Sequence, residues 1–201
     1  MKPILTIAFL FCTQLGAQQV LVEAESFTGL GGWSLDQQYM DQMGSPFLLA
    51  HGLGKPVADA QTEVSLPAAG RYRIWVRSRD WVARWKVAGA PGRFHLLVDG
   101  APLAKTFGVE GEAWHWQDGG TVRATAQKVR LALHDLTGFD GRCDAIVLSQ
   151  DVNWRPPEGT ALAEFRRRQL PMQGRTEDAG NYDLVVVGGG MAGITSAVAA
   201  A

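Results

Sequence analysis

Between residues 19 and 150 the sequence alternates apolar and polar residues in short runs and never sustains a helical period, which restricts this stretch to an all-β fold. In Gly70–Ser78, Tyr72, Ile74 and Val76 fall on one side while Arg71, Arg73, Trp75 and Arg77 fall on the other. Phe94, Leu96 and Val98 alternate with His95 and Leu97, and Val129, Leu131 and Leu133 alternate with Lys128, Arg130 and Ala132. Further strand candidates are Val20–Ala24, Pro46–His51, Thr62–Leu66, Leu103–Phe107, Ala113–Gln117, Thr121–Ala124 and Asp144–Ser149. Asp99-Gly100 and Asp118-Gly119-Gly120 read as hairpin turns, because Asp and Gly tolerate the positive φ that tight turns need. Many short strands without helices between them predict a two-sheet, jelly-roll-like β-sandwich over 18–150.

Ahead of the sandwich, Met1-Lys2 sets a charge before the apolar run Ile4–Phe11, and Gly16-Ala17 precede the polar pair Gln18-Gln19. Charge, apolar run and small-residue exit are the secretory signal pattern, so residues 1–17 are expected to be a signal peptide cut after Ala17. The apolar run falls short of the ~20 residues of a membrane span. The expected location is therefore secreted or periplasmic, with no membrane attachment after cleavage. Cleavage removes Cys12 and leaves Cys143 as a free, buried thiol, with no disulfide framework and no Cys-based zinc site. The 19 Lys+Arg against 20 Asp+Glu give a net charge of −1, without the basic stripe that a nucleic-acid partner requires.

Trp33, Trp81, Trp85, Trp114 and Trp116 sit in or beside Gly-rich or irregular stretches. Sugars present apolar C–H faces that stack on Trp while flanking polar groups bind the hydroxyls. Asp80–Lys86 offers Trp81 and Trp85 with charged residues between them, and Trp114 and Trp116 would share a face if that stretch is a strand. These four are the candidate carbohydrate-binding residues; the alternative is that the rings fill the core or cover its ends. His51, His95, His115 and His134 show no close metal spacing, and no catalytic triad or carboxylate pair can be assembled in this region.

The segments Val22-Glu23-Ala24-Glu25-Ser26-Phe27, Pro67–Ser78 and Gly141–Leu148 together resemble secreted β-sandwich modules, namely jelly-roll carbohydrate-binding modules and golvesin C-terminal-like domains. The resemblance implies a carbohydrate partner. It also implies a structural calcium ion held by Glu23, Glu25 and Asp144, hard oxygen ligands on the first and last strands. The alternative is that Glu23 and Glu25 face solvent on an alternating strand.

After Gln150 the pattern breaks at Pro156-Pro157, which cannot feed a sheet ladder. Residues 151–181 read as a linker with a short helix over Thr160–Leu170, whose Arg166-Arg167-Arg168 is expected to be a solvated face. Tyr182–Val187 then reads as a buried parallel strand running into Gly188-Gly189-Gly190-Met191-Ala192-Gly193 and an Ala-rich helix. Strand, glycines and helix in that order suit a dinucleotide. Gly188 turns the chain, Gly190 lets a pyrophosphate approach the backbone, and Gly193 lets the helix pack close. Residues 184–201 also lack charge, but their Gly and Ala content suits a membrane span poorly.

Asp183–Ala201 resembles the opening of FAD-dependent oxidoreductases. The resemblance implies FAD at residues 188–193 and places 182–201 at the start of a Rossmann-type FAD domain in the same chain. The acidic residue that binds the ribose should follow roughly 20 residues on, past Ala201. The leading expectation is thus the amino-terminal part of an exported FAD-dependent oxidoreductase, inactive by itself, with catalytic residues further along and the sandwich binding substrate or docking. The alternatives are a non-catalytic carbohydrate-binding module and a purely structural sandwich.

Overall fold

The structure is a computed structural model that describes residues 18–86, 88–170, 178–188 and 190–201. The expected signal peptide, Gly189 and residues 171–177 of the expected linker lie outside the described residues. The chain forms two compact units, Met1–Pro171 and Met172–Ala201.

The first unit is a sandwich of two antiparallel sheets. Its strands are β1 (Gln19–Glu23), β2 (Ser34–Asp36), β3 (Phe47–His51), β4 (Ala60–Ser65), β5 (Gly70–Ser78), β6 (Phe94–Val98), β7 (Ala101–Pro102), β8 (His115–Ala124), β9 (Lys128–Asp135) and β10 (Phe139–Ser149). One sheet runs β2-β3-β10-β5-β8 with β1 also paired to β10, and the other runs β4-β9-β6-β7. The alternating faces meet between the sheets: Tyr72, Ile74 and Val76 from β5 pack with Leu96, Leu131, Leu133, Ile146 and Leu148, all fully buried. Burial of such side chains contributes about 1.5–3 kcal/mol each and is what selects the register. Cys143 lies in this core as a free thiol, and burial raises its pKa.

Two turn expectations separate here. Asp99 and Gly100 both take positive φ, 51° and 84°, and close the β6–β7 hairpin as expected. Asp118-Gly119-Gly120 instead lies inside β8, where Trp75 pairs with Asp118 and Ile74 with Gly120. Gly119 is the extra residue of a β-bulge, and a Cβ there would meet Leu103, Phe107 and Ile74 at 3.0–3.4 Å. The two short runs on either side therefore form one strand. Leu103–Phe107 forms no strand, only a bridge from Phe107 to Phe94.

The sandwich has a third layer that the alternation did not announce. Helix α1 (Met40–Met43) is a single turn, while helix α2 (Thr160–Gln169) lies on the outer face of the six-stranded sheet. Leu162 and Phe165 from α2, with Trp154, pack on Leu21, Trp75, Trp116, Ala145 and Val147. Residues 151–170, expected as linker, are thus part of the sandwich unit. The cause is Trp75 and Trp116, two large outward rings that need a cover.

In the second unit, helix α3 spans Met191–Ala200 behind Gly190. Residues 182–187, expected as a buried parallel strand, have no ladder partner among the described residues, and Tyr182, Leu184, Val185 and Val187 are exposed. A strand is defined by its neighbour, so apolar composition alone does not make one.

Candidate ligand-binding site

β5 leaves the sheet at Ser78 and passes into a loop whose conformation Asp80 holds. The Asp80 backbone N–H donates to the carbonyls of Glu110 and Gly111 at 3.0 and 2.9 Å, and its carboxylate accepts the Val82 N–H at 3.1 Å. A one-turn 3-10 helix at Ala83–Trp85 then presents Trp85, which is 58% exposed. Trp81 stands edge-on to Trp85 with ring centroids 6.2 Å apart, and its Nε1 donates to the Phe139 carbonyl at 3.1 Å. The loop thus offers one ring to solvent and spends the other on support.

Arginines stack on both rings and on the ring of Tyr39. The Arg84 guanidinium lies 4.9 Å from the centroid of Trp85, that of Arg142 lies 5.2 Å from Trp81, and that of Arg79 lies 5.1 Å from Tyr39. Tyr39, Gln42, Arg79, Arg84, Glu112 and Ala113 line an open cavity of about 430 Å³. Arg79 and Arg142 are buried, and neither makes an ion pair or a carboxylate hydrogen bond among the described residues. Arg142 donates only to the Asp140 carbonyl, at 3.4 Å, and burial lowers its pKa. Asp140 and Asp36 act on the Arg142 charge from beyond ion-pair distance, while Asp140 bonds His51 at 2.6 Å, Asp36 accepts the Gln38 N–H at 2.7 Å, and Glu112 is exposed. Buried guanidinium groups without a direct ion pair carry a desolvation cost that a bound anion would offset.

The other two candidate rings lie elsewhere. Trp114 packs with Met43 and Phe47, and Trp116 joins the α2 layer, where its Nε1 donates to the Pro157 carbonyl at 3.1 Å. Both are buried, so neither gives a ligand a free ring face, and the expected shared platform does not form. The reason is that each side of this sheet edge is covered, one by α1 and Tyr39, the other by α2. Arg79, Arg142 and Tyr39 were missed from sequence; Tyr39 and Arg142 are far apart in the chain and meet only through the sheet.

The residues implied for calcium do converge. Glu23 and Asp144 are buried, and Glu25, half-buried, has one carboxylate oxygen without a partner. The centre of the cluster, however, holds the Arg166 guanidinium from α2. Its Nη2 donates to Glu23 Oε2 at 3.1 Å and to Asp144 Oδ2 at 2.7 Å, and its Nη1 donates to the Met43 carbonyl. Arg166 Nε lies 2.9 Å from Glu23 Oε1, an ion pair without hydrogen-bond alignment. Arg77 Nη1 meets Asp144 Oδ2 from the other side at 2.7 Å. Burial pushes the Glu23 carboxyl above the usual range, with Arg166 pulling it down, and burial raises Glu25 to about 7. The oxygen set suits calcium by chemistry, but it is committed to nitrogen, so the residues as arranged do not fit the ion. Among the described residues no group of three or more His, Cys, Asp or Glu is disposed to hold a metal.

In the second unit, Gly188 has φ +111°, and a Cβ on Gly193 would fall 2.0 Å from the Gly188 carbonyl oxygen. A Cβ on Gly190 would meet open space. Turn and close approach are thus both present, with Met191 and Ala192 in the first turn of α3.

The class defined by this fold is a two-sheet antiparallel β-sandwich. It aligns with the Podospora anserina GH26-CBM35 β-(1,4)-mannanase at TM-score 0.52 and 18% identity, over 69% of this chain and 29% of that one. A family 35 carbohydrate-binding module from Clostridium thermocellum aligns at 0.49 and 17% identity, over 66% of this chain and 98% of that one. The C-terminal CBM6 of LamC from Zobellia galactanivorans aligns at 0.48 and 17%, over 66% and 100%. At such identities the first likeness establishes the fold and nothing finer. This chain spans less than a third of the mannanase's length. No protein-family model matches the chain, and no curated protein does.

Proposed function

We propose that the sandwich unit is a non-catalytic saccharide-binding module that takes an acidic sugar at the Trp81–Trp85 loop. The observation that carries this reading is the exposed Trp85 ring beside Arg84, with Arg84 and Arg79 lining one open cavity, Arg142 stacked on Trp81, and neither Arg79 nor Arg142 in an ion pair among the described residues. Trp85 stacks on the apolar face of a sugar ring, and the arginines receive its anionic substituent through charge-assisted hydrogen bonds. The sandwich fold shared with a mannanase that carries a carbohydrate-binding module supports it. Calorimetric titration with oligosaccharides bearing carboxylates, sulfates or no charge is the test. Binding to one charged series, weakened in Arg79→Met and in Trp85→Ala, is expected, and the series that binds tells carboxylate from sulfate. No binding to any saccharide would overturn the module reading, whereas equal binding of the neutral series would overturn only the acidic preference.

The Gly188 and Gly193 geometry favours a second reading for the other unit, the start of an FAD domain in an exported oxidoreductase that the sandwich serves as a substrate-binding or docking module. Among the described residues no helix is long and apolar enough to cross a membrane. A bound-flavin absorbance spectrum in the whole gene product, lost in Gly190→Val, is the expected result. A colourless protein would overturn it.

A further inference from the structure

We propose that Arg166 is the resident cation of the Glu23–Glu25–Asp144 cluster, so that the sandwich is closed there by its own helix and not by a divalent ion. Three observations carry it. The first is the sequence separation of the contacts. One guanidinium gathers the end of β1 through Glu23, the end of α1 through the Met43 carbonyl, and β10 through Asp144. Of these, β1 and β10 are the first and last strands of the sandwich, the two that an ion held by Glu23 and Asp144 would have to join.

The second is placement. Leu162 and Phe165 anchor α2 on the outer face of the sheet, and Arg166 follows them at i+4 and i+1. Its side chain is only 11% exposed, whereas those of Arg167 and Arg168 are 76% and 66% exposed and pair with Glu164 on the solvent side. The apolar anchors therefore set Arg166 into the cluster before any charge is considered. The third is geometry. Calcium needs oxygens at 2.3–2.6 Å in a shell of six to eight, while both Glu23 oxygens and Asp144 Oδ2 face nitrogen at 2.7–3.1 Å. Arg77 and Arg166 both meet Asp144 Oδ2, and Arg166 sets Nε and Nη2 against the two Glu23 oxygens, with Nη2 donating. An ion entering this cluster has to expel Arg166 and move α2.

Thermal unfolding of the wild-type chain in chelator and in millimolar calcium tests the proposal, with Arg166→Met and Arg166→Lys beside it. The wild-type midpoint is expected to be the same in both solutions. Arg166→Met, which keeps the stem and removes the charge, is expected to melt lower in chelator and to recover part of that loss in calcium. Arg166→Lys keeps the charge without the fork and is expected to melt between the two, and it carries the comparison if the Met variant does not fold. Three results would each overturn the proposal: a wild-type midpoint that rises with calcium, an Arg166→Met variant as stable as wild type in chelator, or a loss that calcium leaves untouched.

Discussion

The sandwich unit buries guanidinium groups in two places and treats them oppositely. At one, Arg77 and Arg166 converge on Asp144 and Glu23 with nitrogen–oxygen distances of 2.7–3.1 Å. At the other, Arg79 and Arg142 rest on the rings of Tyr39 and Trp81, and among the described residues no carboxylate comes within ion-pair distance of either. Paired charge of the first kind joins segments of a fold. Unpaired charge of the second kind carries a desolvation cost in the free protein, and Arg79 carries it in the lining of an open cavity, which is why the proposed ligand is placed there.

Replacing Asp144 with Asn attacks the paired site hardest, because it leaves Arg77 and Arg166 facing a neutral amide in a fully buried place. The expected loss is about 3–5 kcal/mol, read by denaturant unfolding. The same class of change in the cleft behaves differently. Arg79→Met is expected to leave stability unchanged or improved, while weakening an acidic ligand by about 1.5–3 kcal/mol, or roughly ten- to a hundredfold in titration. Trp85→Ala is expected to cost about 0.5–1.5 kcal/mol of binding, with no change in melting temperature because the ring is exposed.

The smallest effect sharpens the contrast from the paired side. Glu25 is the carboxylate of the cluster with no direct ion pair among the described residues, and burial raises it from 4.5 to about 7 although Arg166 pulls it down. The folded chain therefore holds a proton that the unfolded chain releases, and the stability so gained is present below pH 4.5 and lost as pH rises through about 7. Glu25→Gln is expected to lessen this downward slope, measured as melting temperature across that window.

Much of the sandwich could be read from alternation, because the inner face of β5, β6 and β9 is a run of apolar residues at period two. What escaped was whatever depends on a second contact. Trp75 shares its side of β5 with three arginines and reads as an exposed ring, yet α2 covers it. Arg166 reads as one of a solvated triplet, although its spacing from Leu162 already places it on the buried face of a helix. The convergence of Glu23, Glu25 and Asp144 was implied only by the resemblance to jelly-roll modules, since strand order could not be read from alternation; the Arg166 cation among them was not implied at all. For the site, Trp81 and Trp85 were legible as a loop pair. Trp114 and Trp116 were misread because a Trp beside Gly-rich sequence looks the same whether a helix covers it or solvent does. Arg79 and Arg142 carry no local pattern, since what distinguishes them is the lack of a partner in three dimensions.

The most direct measurement of the central claim, that the cleft keeps its arginines unpaired for a ligand's anion, is the melting temperature of the wild type and of Arg79→Met, each without and with a saturating acidic oligosaccharide. The variant is expected to melt at or above the wild type when free, and only the wild type is expected to shift upward substantially on adding ligand. A variant that melts well below the wild type when free, or equal shifts in both proteins, would contradict it.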